Sequence, residues 1–140
     1  MAPERAAIIA RKRAMLEQFI TDLRTYESLT MGERRREHYA IERLLQLLCE
    51  ASADIGLQLL RAKGYRLAGS YQEVFAALRD EVDLPDELAA DLMDACGMRN
   101  VLTHLYDTID LDRVAAAVDS AIALYPRFTA WCREVGGIDD

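Results

Sequence analysis

The stretch IERLLQLLCEASADIGLQLL, which runs from Ile41 to Leu60, holds the longest apolar helical pattern in the chain. Its apolar residues recur three and four positions apart, the spacing that places side chains on one face of an α-helix. The pattern predicts one long helix over about residues 33–62, and Gly64 is suited to stop it because glycine adopts the conformation that ends helices. The predicted buried stripe consists of Ile41, Leu44, Leu45, Leu48, Ala51, Ile55 and Leu59.

The sequence before this stretch predicts another helix, over about residues 3–27. Pro3 suits a first helical turn, since proline lacks the backbone donor that is unused there. A polar loop at about residues 28–32 separates this helix from the next. Its predicted apolar face consists of Ile8, Met15, Phe19, Leu23 and Tyr26, widened by Ile9, Leu16 and Ile20.

The sequence after Leu60 contains three further helix starts. Ser70 and Glu73 have the spacing of a capping box and predict a short helix. Pro85, followed by two acids, predicts the next start. Asp110 predicts the cap of a last helix, which Pro126 should kink or split because proline removes a backbone donor.

No segment alternates with the period of a β-strand, and the connections are short. We therefore predict an all-α fold, an antiparallel bundle of four long helices and a short one. At 140 residues, the chain 1–140 should form a single domain.

Composition limits the classes of function. The net charge of −7 disfavours nonspecific binding to nucleic acid, so an RNA contact needs a local cationic patch. The three cysteines are scattered through apolar patterns, which argues against a disulfide framework and for a reducing compartment. The sequence shows no signal-peptide core and no apolar run of the roughly 18 residues that cross a bilayer. We expect a cytoplasmic protein with no membrane contact, no metal and no cofactor.

The segment Met98–Tyr106 departs from the scaffold pattern. With Leu88 as reference and about 100° per residue, Arg99 falls near 20°, inside an apolar stripe. An unpaired buried charge is costly, so Arg99 must pair, reach solvent, or face a cavity or interface. Asn100 lies about 100° further round the helix, and His104 follows four residues later on the same row. The stripe itself comprises Leu88, Leu92, Ala95 and Leu102.

These residue types suit one reaction without a metal. Histidine exchanges a proton near neutral pH. Arginine holds a phosphate through two hydrogen bonds and stabilises negative charge that develops on it. Asn100 can orient a phosphate or the histidine. Together they suit cleavage of RNA, whose own 2′-hydroxyl supplies the nucleophile.

Structural interpretations of the same residues remain open. A histidine near a helix end is often only hydrogen-bonded, and Tyr106 alone would be a core or rim aromatic. The basic run at residues 32–38 is typical of a solvated helix face. A di-metal bundle needs Glu-x-x-His pairs, and neither histidine has a glutamate three residues before it. An arginine in an apolar stripe usually pairs with an acid of a neighbouring helix; the candidates are Asp22, Glu42, Glu50 and Asp54.

The order Arg99, Asn100, four residues to His104, and then Tyr106 resembles the Arg-x4-His-x-Tyr motif of the HEPN superfamily, and within it the HepT-like toxins. The stretch at residues 40–55 is similar to the second helix of that family. The likeness covers essentially the whole chain.

The resemblance implies a homodimer of helical bundles whose two motifs face one cleft. It implies a metal-independent endoribonuclease with Arg99 and His104 as catalytic pair, Asn100 in support, and products ending in a 2′,3′-cyclic phosphate. It also implies an MNT-type nucleotidyltransferase antitoxin that transfers AMP from ATP to Tyr106. The alternative is a noncatalytic helical binding subunit that partners such a transferase.

Overall fold

The structure is a computed structural model that describes residues 2–65, 69–104 and 110–136, with side chains in 2–65, 69–97 and 110–135. All regular structure in these ranges is helical, which confirms the all-α prediction. The helices are α1 (Pro3–Arg24), α2 (Met31–Arg36), α3 (His38–Ala62), α4 (Tyr71–Val82), α5 (Asp86–His104) and α6 (Leu111–Gly136).

Helix α3 lies at the centre of the bundle. It packs against α1, α4, α5 and α6, and more lightly against α2. The predicted stripe is buried at Ile41, Leu48, Ile55 and Leu59, whereas Leu44, Leu45 and Ala51 are partly buried. Its partners contribute most of their apolar side chains to the same core, including Leu16, Phe75, Leu92 and Phe128.

The predicted second helix is two helices in the structure. Glu37, with φ −92° and ψ 18°, ends α2 and precedes α3. Helix α2 begins at a complete capping box in which the Thr30 hydroxyl accepts from Glu33 N at 3.1 Å and the Glu33 carboxylate accepts from Thr30 N at 2.9 Å. This box lies inside the stretch that the sequence analysis assigned partly to a loop, so α2 was missed as a separate element.

The other predicted boundaries are largely confirmed. Gly64 has φ +84° directly after α3, and the Ser70 hydroxyl accepts from Glu73 N at 3.2 Å at the start of α4. Asp110 accepts from Arg113 N at 3.2 Å at the start of α6. Helix α6 spans Leu111–Gly136 with Pro126 inside it, so the expected split does not occur.

One predicted core residue of α1 is wrong. Met15 is 58% exposed, whereas Ile9, Leu16, Ile20 and Leu23 are buried. The apolar residues of α1 cover a wide arc, and the position of α3 decides which part of that arc is inside.

The expectation of unpaired cysteines is also wrong. Cys49 of α3 and Cys96 of α5 form a disulfide with a Cα–Cα distance of 5.8 Å. Both lie in the core, and only the packing of α5 on α3 brings them together, which spacing along the sequence does not reveal. Cys132 is a buried thiol, and burial raises its pKa to about 12. A buried thiol of this kind is a poor nucleophile.

No helix in the described part of the chain is long and apolar enough to span a membrane.

Gly56 lies where α3 and α4 pack closely together in the core. A Cβ added at Gly56 would lie 2.7 Å from Val74 Cγ1 and 2.9 Å from Leu78 Cδ1. Because the β-branched Val74 cannot easily rotate away, we expect Gly56→Ala to lower the free energy of unfolding by about 1–3 kcal/mol. Urea denaturation at neutral pH measures this change.

Gly32→Ala is the matched control. A Cβ at Gly32 of α2 would approach nothing closer than 3.8 Å, so alanine should be neutral or stabilise by up to about 1 kcal/mol through its helix propensity. A Gly56→Ala protein as stable as Gly32→Ala would contradict the close packing of α4 on α3.

Candidate functional site

The backbone of α5 carries three of the four site residues that the sequence predicts. Arg99, Asn100 and His104 belong to its last turns, and His104 is its last described residue. Their side chains, and the whole of Tyr106, lie outside the described residues. What the structure supplies is the position of these residues in the bundle and the surfaces around that position.

The buried face of α5 leads to the position of Arg99. Leu88, Leu92 and Cys96 are 4%, 0% and 3% exposed and follow one line along the helix. At about 100° per residue, Arg99 occupies the next position near that line, as the sequence predicted, and His104 lies about 140° round the helix from Arg99. A single α5 therefore does not place both residues on one face.

The disulfide sets the position of α5 along α3. Leu111 lies beside Arg36 and His38, so α6 begins near the start of α3. From Cys49 to Gly56, α3 passes from Cys96 of α5 to the middle of α4, beside Val74, and α4 leads through residues 83–85 to the start of α5. Helix α3 therefore runs antiparallel to α5. Both helices rise about 1.5 Å per residue, so counting outward from the Cys49–Cys96 pair brings His104 beside the first turns of α3.

A groove of about 600 Å³ runs between α5 and α6. At one end Arg127 Nη1 donates to Asp91 Oδ2 at 2.9 Å, and the α6 side of the groove continues to Arg113. The α6 side of the groove, from Arg113 to Arg127, is about 20 Å long at 1.5 Å per residue. The described α5 residues that line the groove span only Asp91 to Ala95. The far end of the groove therefore lies beside the C-terminal turns of α5. Larger side chains such as Leu124 and Tyr125 line the groove together with five alanines, namely Ala95, Ala116, Ala117, Ala121 and Ala123.

Arg34 ties α2 to α6 at this end of the bundle. Its guanidinium is buried and donates to both carboxylate oxygens of Asp119, at 2.8 and 3.1 Å. It also donates to Ala115 O at 3.0 Å and to Glu27 O at 2.7 Å. The hydrogen bond from Arg34 holds the pKa of Asp119 below its usual range, because it outweighs the raising effect of burial, and the charge of Arg34 adds a smaller lowering effect.

The sequence does not predict that Arg34 is buried, because the run at residues 32–38 is typical of a solvated helix face. The signal that would have found it is the Thr30–Glu33 capping box, since this fixes the rotation of α2. The second histidine, His38, fits the structural interpretation, because its Nδ1 lies 2.5 Å from Glu42 Oε2.

All four acids suggested as partners of Arg99 have other hydrogen-bond partners, which for Asp22 and Glu50 are Gln18 and Gln46. Glu42 is bonded to His38, and Asp54 accepts from Lys12 Nζ at 2.6 Å. Among the side chains that the structure describes, no group of three His, Cys, Asp or Glu residues is arranged to hold a metal ion.

The family model described as "Ribonuclease HepT-like" matches residues 9–131, a range that contains the whole motif from Arg99 to Tyr106. The chain belongs to this family. The HEPN resemblance drawn from the motif is thereby confirmed.

Relatives of this HepT-like chain have names that state a function or a partner. A protein of Aphanizomenon flos-aquae named tRNA nuclease HepT is 28% identical over 124 residues, which cover 86% of this chain and 84% of that protein. The HEPN toxin of Shewanella oneidensis, solved tri-AMPylated in complex with MNT antitoxin, superposes with a TM-score of 0.81 at 22% identity, covering 96% of this chain and 99% of that one. A toxin–antitoxin structure with AMP-PNP gives a TM-score of 0.81 at 22% identity, with 91% and 98% covered. The two solved structures establish the fold.

The Arg34–Asp119 contact predicts how this HepT-like bundle depends on pH. Because the pKa of Asp119 is lowered on folding, its stabilising contribution is present above the unfolded-state pKa of about 3.9 and is lost as pH falls through the lower folded-state value. Between about pH 5 and pH 2, the wild type should therefore lose more free energy of unfolding than Asp119→Asn. Urea denaturation across this range measures the difference.

Arg34→Met should lower the free energy of unfolding by about 2 kcal/mol near neutral pH, because hydrogen bonds to charged groups contribute about 1.5–3 kcal/mol. The control is Asp112→Asn, which breaks the exposed 2.7 Å pair with Arg35 and should cost less than about 1 kcal/mol. Equal effects of Arg34→Met and Asp112→Asn would show that Arg34 does not anchor α2.

Proposed function

We propose that this chain is the toxin of a toxin–antitoxin pair, a metal-independent endoribonuclease that is neutralised when its antitoxin transfers AMP to Tyr106. The observation that carries the proposal is the family match over residues 9–131, which includes every position of the Arg99–Tyr106 motif. The names of the relatives support a tRNA-type substrate and an MNT-type partner. Under this proposal the protein acts in the cytoplasm and comprises one domain, 1–140.

In the proposed reaction Arg99 binds the scissile phosphate and His104 acts as the general acid and base. The 2′-hydroxyl of the substrate gives its proton to a neutral His104 imidazole as O2′ bonds to phosphorus. The bond from phosphorus to O5′ breaks, and the leaving oxygen takes a proton from a protonated imidazole. The products are a 2′,3′-cyclic phosphate and a 5′-hydroxyl. Arg99 stabilises the charge that develops on the phosphate oxygens, and Asn100 orients the phosphate.

A homodimer would supply both imidazoles of this scheme. The separation of Arg99 and His104 by about 140° on one helix favours a site shared by two copies of α5. The α5–α6 groove supports this arrangement, because the alanines that line it allow close approach of a second helix. Two copies of the motif in one cleft would also form a local positive region on a chain with a net charge of −7.

AMP transfer to Tyr106 would place a bulky anion two residues after His104. A phosphate group near the cleft repels RNA phosphates through the same electrostatics by which phosphorylation acts. The Shewanella oneidensis toxin, whose solved form is tri-AMPylated and bound to MNT antitoxin, supports this mode of neutralisation here.

The ribonuclease proposal predicts that His104→Ala and Arg99→Ala each slow RNA cleavage by about 10²–10⁴-fold, the range for loss of general acid–base catalysis or of a charge-stabilising donor. Cleavage of a tRNA pool in EDTA, followed on denaturing gels, measures the rate. The control is Arg61→Gln, because Arg61 is exposed at the far end of α3 and should leave cleavage unchanged.

End-group analysis of the products decides the mechanism. A 2′,3′-cyclic phosphate is expected, whereas a 3′-hydroxyl would contradict the proposed attack by the 2′-hydroxyl. If RNA stays intact and Arg99→Ala instead abolishes assembly with itself or with the nucleotidyltransferase, the chain is the noncatalytic binding subunit.

The AMP-transfer proposal predicts that incubation with the cognate nucleotidyltransferase and ATP raises the mass of the protein by whole AMP units. Tyr106→Phe should abolish the gain, since the acceptor hydroxyl is lost. Tyr65→Phe is the control, because Tyr65 is 39% exposed and lies outside the motif. Intact-mass spectrometry makes the comparison, and unchanged labelling of Tyr106→Phe would place the acceptor elsewhere.

A further inference from the structure

Three exposed side chains lie at the junction of α2 and α3. Arg36 is the last residue of α2, and Tyr39 and Arg43 lie four residues apart on the outer face of α3. Tyr39 is 77% exposed, the highest value among the large apolar and aromatic side chains that the structure describes as exposed. We call Arg36, Tyr39 and Arg43 the Tyr39 patch.

The two arginines of the Tyr39 patch differ from the arginines beside them. Arg34 is bound by Asp119, and Arg35 donates to Asp112 at 2.7 Å. No salt bridge joins Arg36 or Arg43 to any carboxylate within the described residues. Among the described side chains, neither guanidinium is neutralised by a paired carboxylate, although the pKa of the Glu33 carboxyl, lowered mainly by its hydrogen bonds with Thr30, is lowered further by the nearby charge of Arg36.

Three acids lie next to the patch in the sequence, namely Glu33, Glu37 and Glu42. Glu42 is bonded to His38, and Glu33 closes the α2 capping box. Glu37 is exposed between Arg36 and Tyr39, so it opposes the charge of the two arginines. The patch is cationic on an acidic chain, and Glu37 gives it a variant that should strengthen anion binding.

The Tyr39 patch lies at the catalytic end of the bundle. The antiparallel arrangement of α3 and α5 around the Cys49–Cys96 pair places His104 beside the first turns of α3, as described above. An open depression next to the patch is lined by Arg35, Arg36, His38 and Leu111. Leu111 is seven residues after His104, so an extended chain allows them to be at most about 25 Å apart.

An exposed aromatic ring between unpaired arginines is typical of surfaces that bind single-stranded nucleic acid. The ring stacks on a base, while the arginines hold the phosphates on either side. A protein-binding aromatic would more often be surrounded by apolar side chains, whereas the ring of Tyr39 lies against that of His38, with centroids 4.0 Å apart. Helix α2, held by the Arg34 anchor, fixes Arg36 relative to α3.

From this geometry we propose that the Tyr39 patch binds a single-stranded segment of the RNA substrate, with Tyr39 stacking on a base and Arg36 and Arg43 contacting the backbone phosphates. The proposal rests on the ribonuclease function proposed above, because it assigns the patch to the same substrate. It concerns binding alone, so it fails or stands separately from cleavage.

Fluorescence anisotropy with a labelled 2′-O-methyl RNA of mixed sequence tests the patch, since this RNA lacks the 2′-hydroxyl nucleophile and stays intact. Tyr39→Ala should raise the dissociation constant by about 5- to 150-fold, the effect of losing one stacked base. Tyr39→Phe keeps the ring and should bind like the wild type. Glu37→Gln should bind more tightly.

The double variant Arg36→Gln/Arg43→Gln should bind more weakly and respond less to salt. Each phosphate contact on single strands contributes about 0.7 to the slope of log K against log salt, so the slope should fall by about 1.4. Arg61→Gln, which changes an exposed arginine at the other end of α3, should change neither quantity. Melting temperatures equal to that of the wild type confirm that the exposed substitutions leave the fold intact.

The outcomes separate the hypotheses. Intact RNA in the cleavage assay together with the expected binding changes would refute the nuclease but keep the binding patch. Wild-type affinity and slope in Arg36→Gln/Arg43→Gln would overturn the patch. If that variant binds RNA normally but no longer binds the nucleotidyltransferase, the surface docks a protein and the RNA proposal is wrong.

Discussion

Helix α3 must bury side chains around roughly half of its circumference, because α1, α4, α5 and α6 all pack on it. This constraint places every other element. Gly56 leaves room for α4, whose Val74 would collide with any added Cβ. Cys49 meets Cys96 and sets the position of α5 along α3. The last turns of α5, where the candidate catalytic residues lie, therefore come to the end of the bundle at which α3 begins.

A second constraint acts at that same end. Helix α2 is only six residues long and is too short to be stable without tertiary contacts. Its capping box orients it, and Arg34 then reaches Asp119 and two backbone carbonyls. The charge of Arg34 is thus used inside the structure. The neighbouring Arg36 belongs to the same anchored helix, but its side chain is exposed to solvent.

Local signals in the sequence predicted what depends on local physics. The helix start at Asp110 and the stop at Gly64 follow from capping chemistry, and both are confirmed. The central stripe at Ile41, Leu48 and Ile55 follows from helical periodicity. The family motif is equally local, because Arg99 to Tyr106 is one continuous stretch.

Features that depend on how helices pack were not predicted. Three consecutive arginines at residues 34–36 are alike in sequence, and only the position of α6 makes Arg34 internal. The apolar arc of α1 is wide enough that Met15 was expected inside, although the bundle leaves it exposed. Cys49 and Cys96 are 47 residues apart, so their pairing follows only from the contact of α3 with α5. The geometry of the candidate site also depends on packing between helices, since Arg99 and His104 lie about 140° apart around a single helix.

The electrostatics of the chain connect the proposed activity with its proposed control. On a body with net charge −7, RNA phosphates are repelled except where a few cationic groups outweigh the surrounding acids. Binding then depends on a small number of arginines near the end of α5. One added AMP phosphate at Tyr106 would change that local balance by a large fraction, whereas on a strongly basic protein it would be a minor perturbation. An acidic scaffold with a small cationic site is therefore well suited to inactivation by a single charged modification.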